Sequence, residues 1–90
     1  MAVTHANVSV GTTATLLSSA ASGRDGQTLS IQNPTGGANV FLGGSTVTSS
    51  AYGFLLAAAT TFTIELQDGE AIYGIVASST QTVNVLRQGT

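Results

Sequence analysis

The chain has no cysteine, no lysine, no tryptophan and a single proline, and each absence closes off a class of protein. Without cysteine there is no disulfide framework, no thiolate metal knuckle and no thiol nucleophile, so the fold holds without covalent staples, as suits synthesis in a reducing cytoplasm. Charge is equally scarce. Arg24 and Arg87 are the basic side chains and Asp25, Glu65, Asp68 and Glu70 the acidic ones, for a net charge of −2. A phosphate backbone is held by clustered Lys and Arg, so two isolated arginines exclude nucleic acid as a partner. The longest apolar run, Phe54 to Ala59, is six residues and falls well short of a membrane span. The stretch MAVTHANVSVG has neither the basic start nor the continuous apolar segment of a signal peptide. Neither a membrane partner nor export by that route is expected.

What is present is hydroxyl-bearing and β-branched. Ser and Thr supply 24 of 90 residues while charged residues are 7%, so the surface is expected to consist of hydroxyls, amides and glycine. Such a surface gives a free monomer little protection against association. It favours a protein packed against copies of itself or against a larger body. Val, Ile and Thr make 26 of 90 residues, and their restricted χ1 angles suit a pleated sheet better than a helix.

Period-two alternation then places the strands. In TTFTIEL, Phe62, Ile64 and Leu66 alternate with Thr61, Thr63 and Glu65. QTLSIQN repeats the pattern with Leu29 and Ile31, NVSV with Val8 and Val10, and QTVNVLR with Val83 and Val85. AIYGIVAS is apolar on both faces, as in a central strand covered on both sides, one cover being a candidate for another subunit. Strands are predicted at residues 7–11, 13–18, 27–33, 38–43, 52–56, 60–66, 71–77 and 80–87. Turn residues punctuate them: Gly11, Ser22-Gly23, Asp25-Gly26, Asn33-Pro34, Gly36-Gly37, Gly43-Gly44, Asp68-Gly69 and Ser78-Ser79. Ninety residues bound one domain, and eight short antiparallel strands predict a single all-β, jelly-roll-like sandwich. The Leu and Ala content of residues 51–61 would permit one helical turn, against which Gly53 and the β-branched tail argue.

Candidate sites are sparse. The glycine pairs Gly36-Gly37 and Gly43-Gly44 flank ANVFLG, with no following helix and no lysine, so they read as turns or a bulge and not as a phosphate cradle. His5 is the single histidine and has no carboxylate near it in sequence. Glu65, Asp68 and Glu70 cluster, but a calcium loop needs more oxygen ligands at alternating spacing, and Asp68-Gly69 serves a hairpin. No serine sits in a GxSxG elbow, and there is no second histidine to act as base. Tyr52 and Tyr73 could stack on a sugar ring, or lie in a core or interface. No catalytic, cofactor-binding or metal residue is assigned, no cofactor is expected, and an enzyme is the least expected class.

The segments GTTATLLSSAASGRDGQTLSIQN, VFLGGSTVTSSAYGFLL, FTIELQDGEAIYGIVAS and TQTVNVLRQG follow one another in an order that resembles the small β-sandwich virion proteins of tailed bacteriophages, the head decoration and minor structural proteins. The likeness spans residues 8–88. It rests on an arginine-containing loop before LSIQN, matched by Arg24, on Val40 to Thr48, and on the AIYGI strand from Ala71 to Ile75. The family's arginine loop commonly carries further basic residues, whereas here Arg24 stands beside Asp25. The resemblance implies a non-enzymatic decoration (cement) protein made in the host cytoplasm and located on the capsid surface of the virion. Its partners would be the major capsid protein and itself, as a homo-oligomer expected to be a trimer. Two other readings stand beside it: a β-sandwich module of a tail, collar or fibre that binds a host glycan or protein, and an unrelated intracellular binding module. Residues 1–6 are expected to form an N-terminal arm, flexible or contact-forming, and residues 7–90 the sandwich.

Overall fold

Alternating side chains become strands because successive Cβ atoms point to opposite faces of a sheet. The computed structural model describes residues 3–19, 27–34, 38–67 and 69–89, and none of these is helical. The strands are β1 (Val3–Val10), β2 (Thr15–Ser19), β3 (Gln27–Asn33), β4 (Val40–Gly43), β5 (Phe54–Leu56), β6 (Thr60–Leu66), β7 (Ala71–Ile75) and β8 (Gln81–Gly89). They form two four-stranded antiparallel sheets, ordered β1-β8-β3-β6 and β2-β7-β4-β5. In this order the first strand meets the last, the second the seventh, the third the sixth and the fourth the fifth. That is a long antiparallel hairpin rolled into two layers, the jelly-roll arrangement.

Inward-facing residues of both layers make one core. Val10, Leu29, Ile31, Val83 and Val85 come from the first sheet, and Leu17, Val40, Leu42, Leu56 and Ile72 from the second. The expected alternation of QTLSIQN, QTVNVLR, NVSV and TTFTIEL holds at every one of these strands. In β7, Ile72 and Gly74 are buried with the following Val76, and Ile75 on the opposite face is buried as well. A Cβ on Gly74 would lie 3.2 Å from Leu17 Cδ1 and 3.3 Å from Val40 Cγ1, so the bare backbone lets the flanking strands' side chains close over the centre of the sheet.

Polar groups tie the layers together at two seams. Asn33 is fully buried at the end of β3, and its Nδ2 donates to the carbonyls of Ala38 at 2.7 Å and Leu56 at 3.0 Å, joining the first sheet to β5 of the second. Its backbone carbonyl accepts the amide of Ala59, which holds the left-handed φ of 62°. At the second seam, Arg87 Nε donates to Ser18 Oγ at 2.9 Å, and the Ser18 hydroxyl donates to Gln27 Oε1. Ser18 and Gln27 are both buried, so β2 is linked by side chains to β8 and β3.

The N-terminal segment corrects the sequence reading. Residues 3–6 are not an arm: they continue β1, pairing Val3 with Gln88, Thr4 with Arg87, His5 with Leu86 and Ala6 with Val85. Strand pairing uses the backbone, which a side-chain pattern does not report. Smaller shifts move β2 to Thr15–Ser19, shorten β5 to Phe54–Leu56 and β7 to Ala71–Ile75, and extend β8 to Gly89. Arg24, Asp25, Gly36, Gly37 and Asp68 lie outside the described residues.

Candidate functional site

With the inner faces committed to the core, function falls to the two outer faces, the open edges and the loops. Alternation sends Ala71, Tyr73 and Ile75 of β7, Phe41 and Gly43 of β4, Leu55 of β5 and Leu16 of β2 to the outer face of the second sheet. Register sets Phe41 between Ile75 and Leu55, and Tyr73 between Leu16 and Gly43. The loop from Gly44 to Gly53 folds back onto this face. Val47 is buried, and a Cβ on Gly43 would lie 3.0 Å from its Cγ2, so glycine lets the loop approach closely where any side chain would press on Val47. The ring of Tyr52 packs on Phe41 at a centroid distance of 4.7 Å, tilted by 49°. Leu16, Tyr52 and Leu55 remain 47%, 45% and 40% exposed, so the face is an apolar and aromatic surface open to a partner.

The outer face of the first sheet has the same architecture and different chemistry. It carries Val3, His5, Asn7 and Ser9, then Thr82, Asn84, Leu86 and Gln88, then Thr28, Ser30 and Gln32, and finally Thr61, Thr63 and Glu65, so that exposed Val3 and Leu86 are its apolar residues among polar ones. One row runs across three strands: Asn7 Nδ2 donates to Asn84 Oδ1 at 2.6 Å, and Asn84 Nδ2 donates to Gln32 Oε1 at 3.2 Å. Beside it Ser30 and Thr63 share a hydroxyl contact at 3.3 Å. Side-chain amides and hydroxyls thus satisfy one another where an ordinary domain would place charges.

A cleft of about 500 Å³ opens where β6 and β5 edge the two layers. Phe54 and Phe62 pack across it at 4.5 Å, with Leu42, Ile64, Leu66 and Ile72 behind them. Its floor is the sandwich core, and Glu70 stands at its rim.

The residues singled out from the sequence do not gather. His5 is exposed on the outer face of β1, opposite Leu86. Glu70 Oε1 accepts the Gln67 amide at 2.7 Å while the Glu70 amide donates to the Gln67 carbonyl, so this carboxylate closes the turn between β6 and β7, where Gly69 takes a φ of 77°. The turn passes from the first sheet to the second and is not the hairpin expected from the sequence. Glu65 accepts from Gln67 Nε2 at 3.3 Å. Among the described residues no three His, Asp or Glu side chains lie together as metal ligands would. Tyr52 and Tyr73 belong to the same side of the second sheet. Sequence reasoning missed Phe41, Leu55 and Leu16 as surface residues, since apolar side chains in short strands read as core until the strand order shows which face is covered. Gly43-Gly44 forms a turn, the Val47 amide donating to the Gly44 carbonyl at 3.0 Å. No protein-family model and no curated protein matches the chain.

Proposed function

We propose that this is a non-enzymatic structural protein of a phage particle, a decoration protein that seats on the outside of an assembled head and adds contacts between its subunits. The observation that carries the reading is the apolar outer face of the second sheet, formed by Leu16, Phe41, Tyr52, Leu55 and Tyr73, on a chain with six charged side chains. A face of that kind is stabilised by apolar and hydrogen-bonded contact with another protein surface and owes little to electrostatic steering. The resemblance of the sequence to head decoration proteins supports the major capsid protein as that surface.

The test is to locate the protein in purified particles by mass spectrometry and to find its density by electron microscopy. Density on the outside of the head, with the second sheet toward the shell, is the expected result. Density on a tail, collar or fibre moves the protein to a host-binding role, and absence from particles overturns the proposal.

A further inference from the structure

A sandwich of two open sheets has four edge strands, and proteins that stay single blunt such edges with shortness, bulges, proline or charge. Three of the four are blunted here. β5 has three residues. β2 is broken by a register shift between Leu16 and Ser18. β6 carries Glu65 and runs beside the cleft of Phe54 and Phe62. β1 has none of these devices: VTHANVSV is eight residues long, without charge, proline or bulge, and pairs with β8 in unbroken register from Val3 to Val10. Its second row of backbone donors and acceptors faces away from β8.

The side chains of β1 are also incomplete as the edge of a single copy. Ala6 and Val8 face inward yet stay partly exposed, and Thr4 is exposed. Below them lies a groove of about 440 Å³ that includes Thr4, Val8, Leu16 and Leu17. On the outer face, the amide row Gln32–Asn84–Asn7 stops at this edge, with the Oδ1 of Asn7 directed to no partner in the row.

We propose that β1 is a self-association strand, and that two copies pair β1 to β1 antiparallel about a twofold axis at Asn7, merging their four-stranded sheets into one continuous sheet. Residues opposite one another in an antiparallel pair share a face, so the register must match odd positions with odd and even with even. Centring on Asn7 satisfies this, setting Asn7 against Asn7, His5 against Ser9, Ala6 against Val8 and Thr4 against Val10. Asparagine is self-complementary at such an axis, because each amide offers a free N–H to the other's oxygen. The row then runs unbroken from Gln32 of one copy to Gln32 of the other, and each copy's Val8 and groove are covered. Isologous pairing of this kind closes at two copies, whereas the trimer expected above needs a head-to-tail contact.

Sedimentation equilibrium on the isolated protein tests the proposal separately from any role on a particle. At about 10 µM, where an interface with Kd of ~1 µM is mostly occupied, the expected mass is twice the 9.0 kDa of the chain. Asn7→Lys and Asn7→Asp each set like charges against one another across the axis. Each is expected to melt cooperatively and to weaken pairing at least a hundredfold, giving close to the single-chain mass, and an equimolar mixture of the two is expected to regain the two-chain mass. A wild-type mass of one or three chains, a variant that remains paired, or a mixture that stays dissociated would each overturn it.

Discussion

The two outer faces of this sandwich are made by sheets of equal strand number and the same alternation, and they differ in almost every other respect. On the first, Asn7, Asn84, Gln32, Ser30 and Thr63 bond to one another, so polarity is spent within the face. On the second, Leu16, Tyr52 and Leu55 are exposed and Phe41 is half-buried beneath Tyr52, with aromatic and aliphatic contact in place of an amide row. The contrast teaches that a low charge count does not make a uniform surface. One face stays compatible with water through amides and hydroxyls, while the other is left favourable for contact with protein.

The largest effect is expected where both faces share their support. Ile31 is fully buried between the sheets, and Ile31→Ala should cost about 2–5 kcal/mol and lower Tm by roughly 10 °C or more, whereas Leu86→Ala on the first outer face should stay within about 0.5 kcal/mol. Thermal and urea unfolding read both. Equal losses would mean that Leu86 is covered and that the first face is not free.

Asn33 tests the seam that holds the faces at their separation. Asn33→Ala removes the donor to the Ala38 and Leu56 carbonyls and is expected to cost about 2–3 kcal/mol in a denaturant titration. A loss below about 1 kcal/mol would place the junction between the layers elsewhere. Gly74→Val pushes methyl groups into the space held by Leu17 and Val40 and should cost about 1–3 kcal/mol by the same measurement.

Leu55→Ser separates contact from stability. It should move the unfolding midpoint by less than about 0.5 kcal/mol while weakening attachment to particles about tenfold, and Gln32→Ser on the opposite face should leave attachment unchanged. Reversal of that pair in a particle co-sedimentation assay would show that the first face is the docking surface. The smallest effect is expected from salt. With so few charges, attachment should change by less than about threefold between low and moderate NaCl, and release over that range would make Arg24 and Arg87 the anchors.

The sequence by itself determined the eight strands, the all-β class and the buried residues of the strands in which apolar and polar side chains alternate, because period-two alternation and turn chemistry act over a few residues. Leu29 and Ile31, or Val83 and Val85, face the core whatever their neighbours are. It also set the poverty of charge. Only the tertiary structure decided the order β1-β8-β3-β6 and β2-β7-β4-β5, since pairing joins segments as distant as Asn7 and Asn84 and depends on how the whole chain closes on itself. That order made VTHA an edge strand where an arm was expected, brought three separate amides into one row, and turned Phe41 and Leu55 outward. Which of two alternating faces is covered is a property of layers, and no single strand carries it.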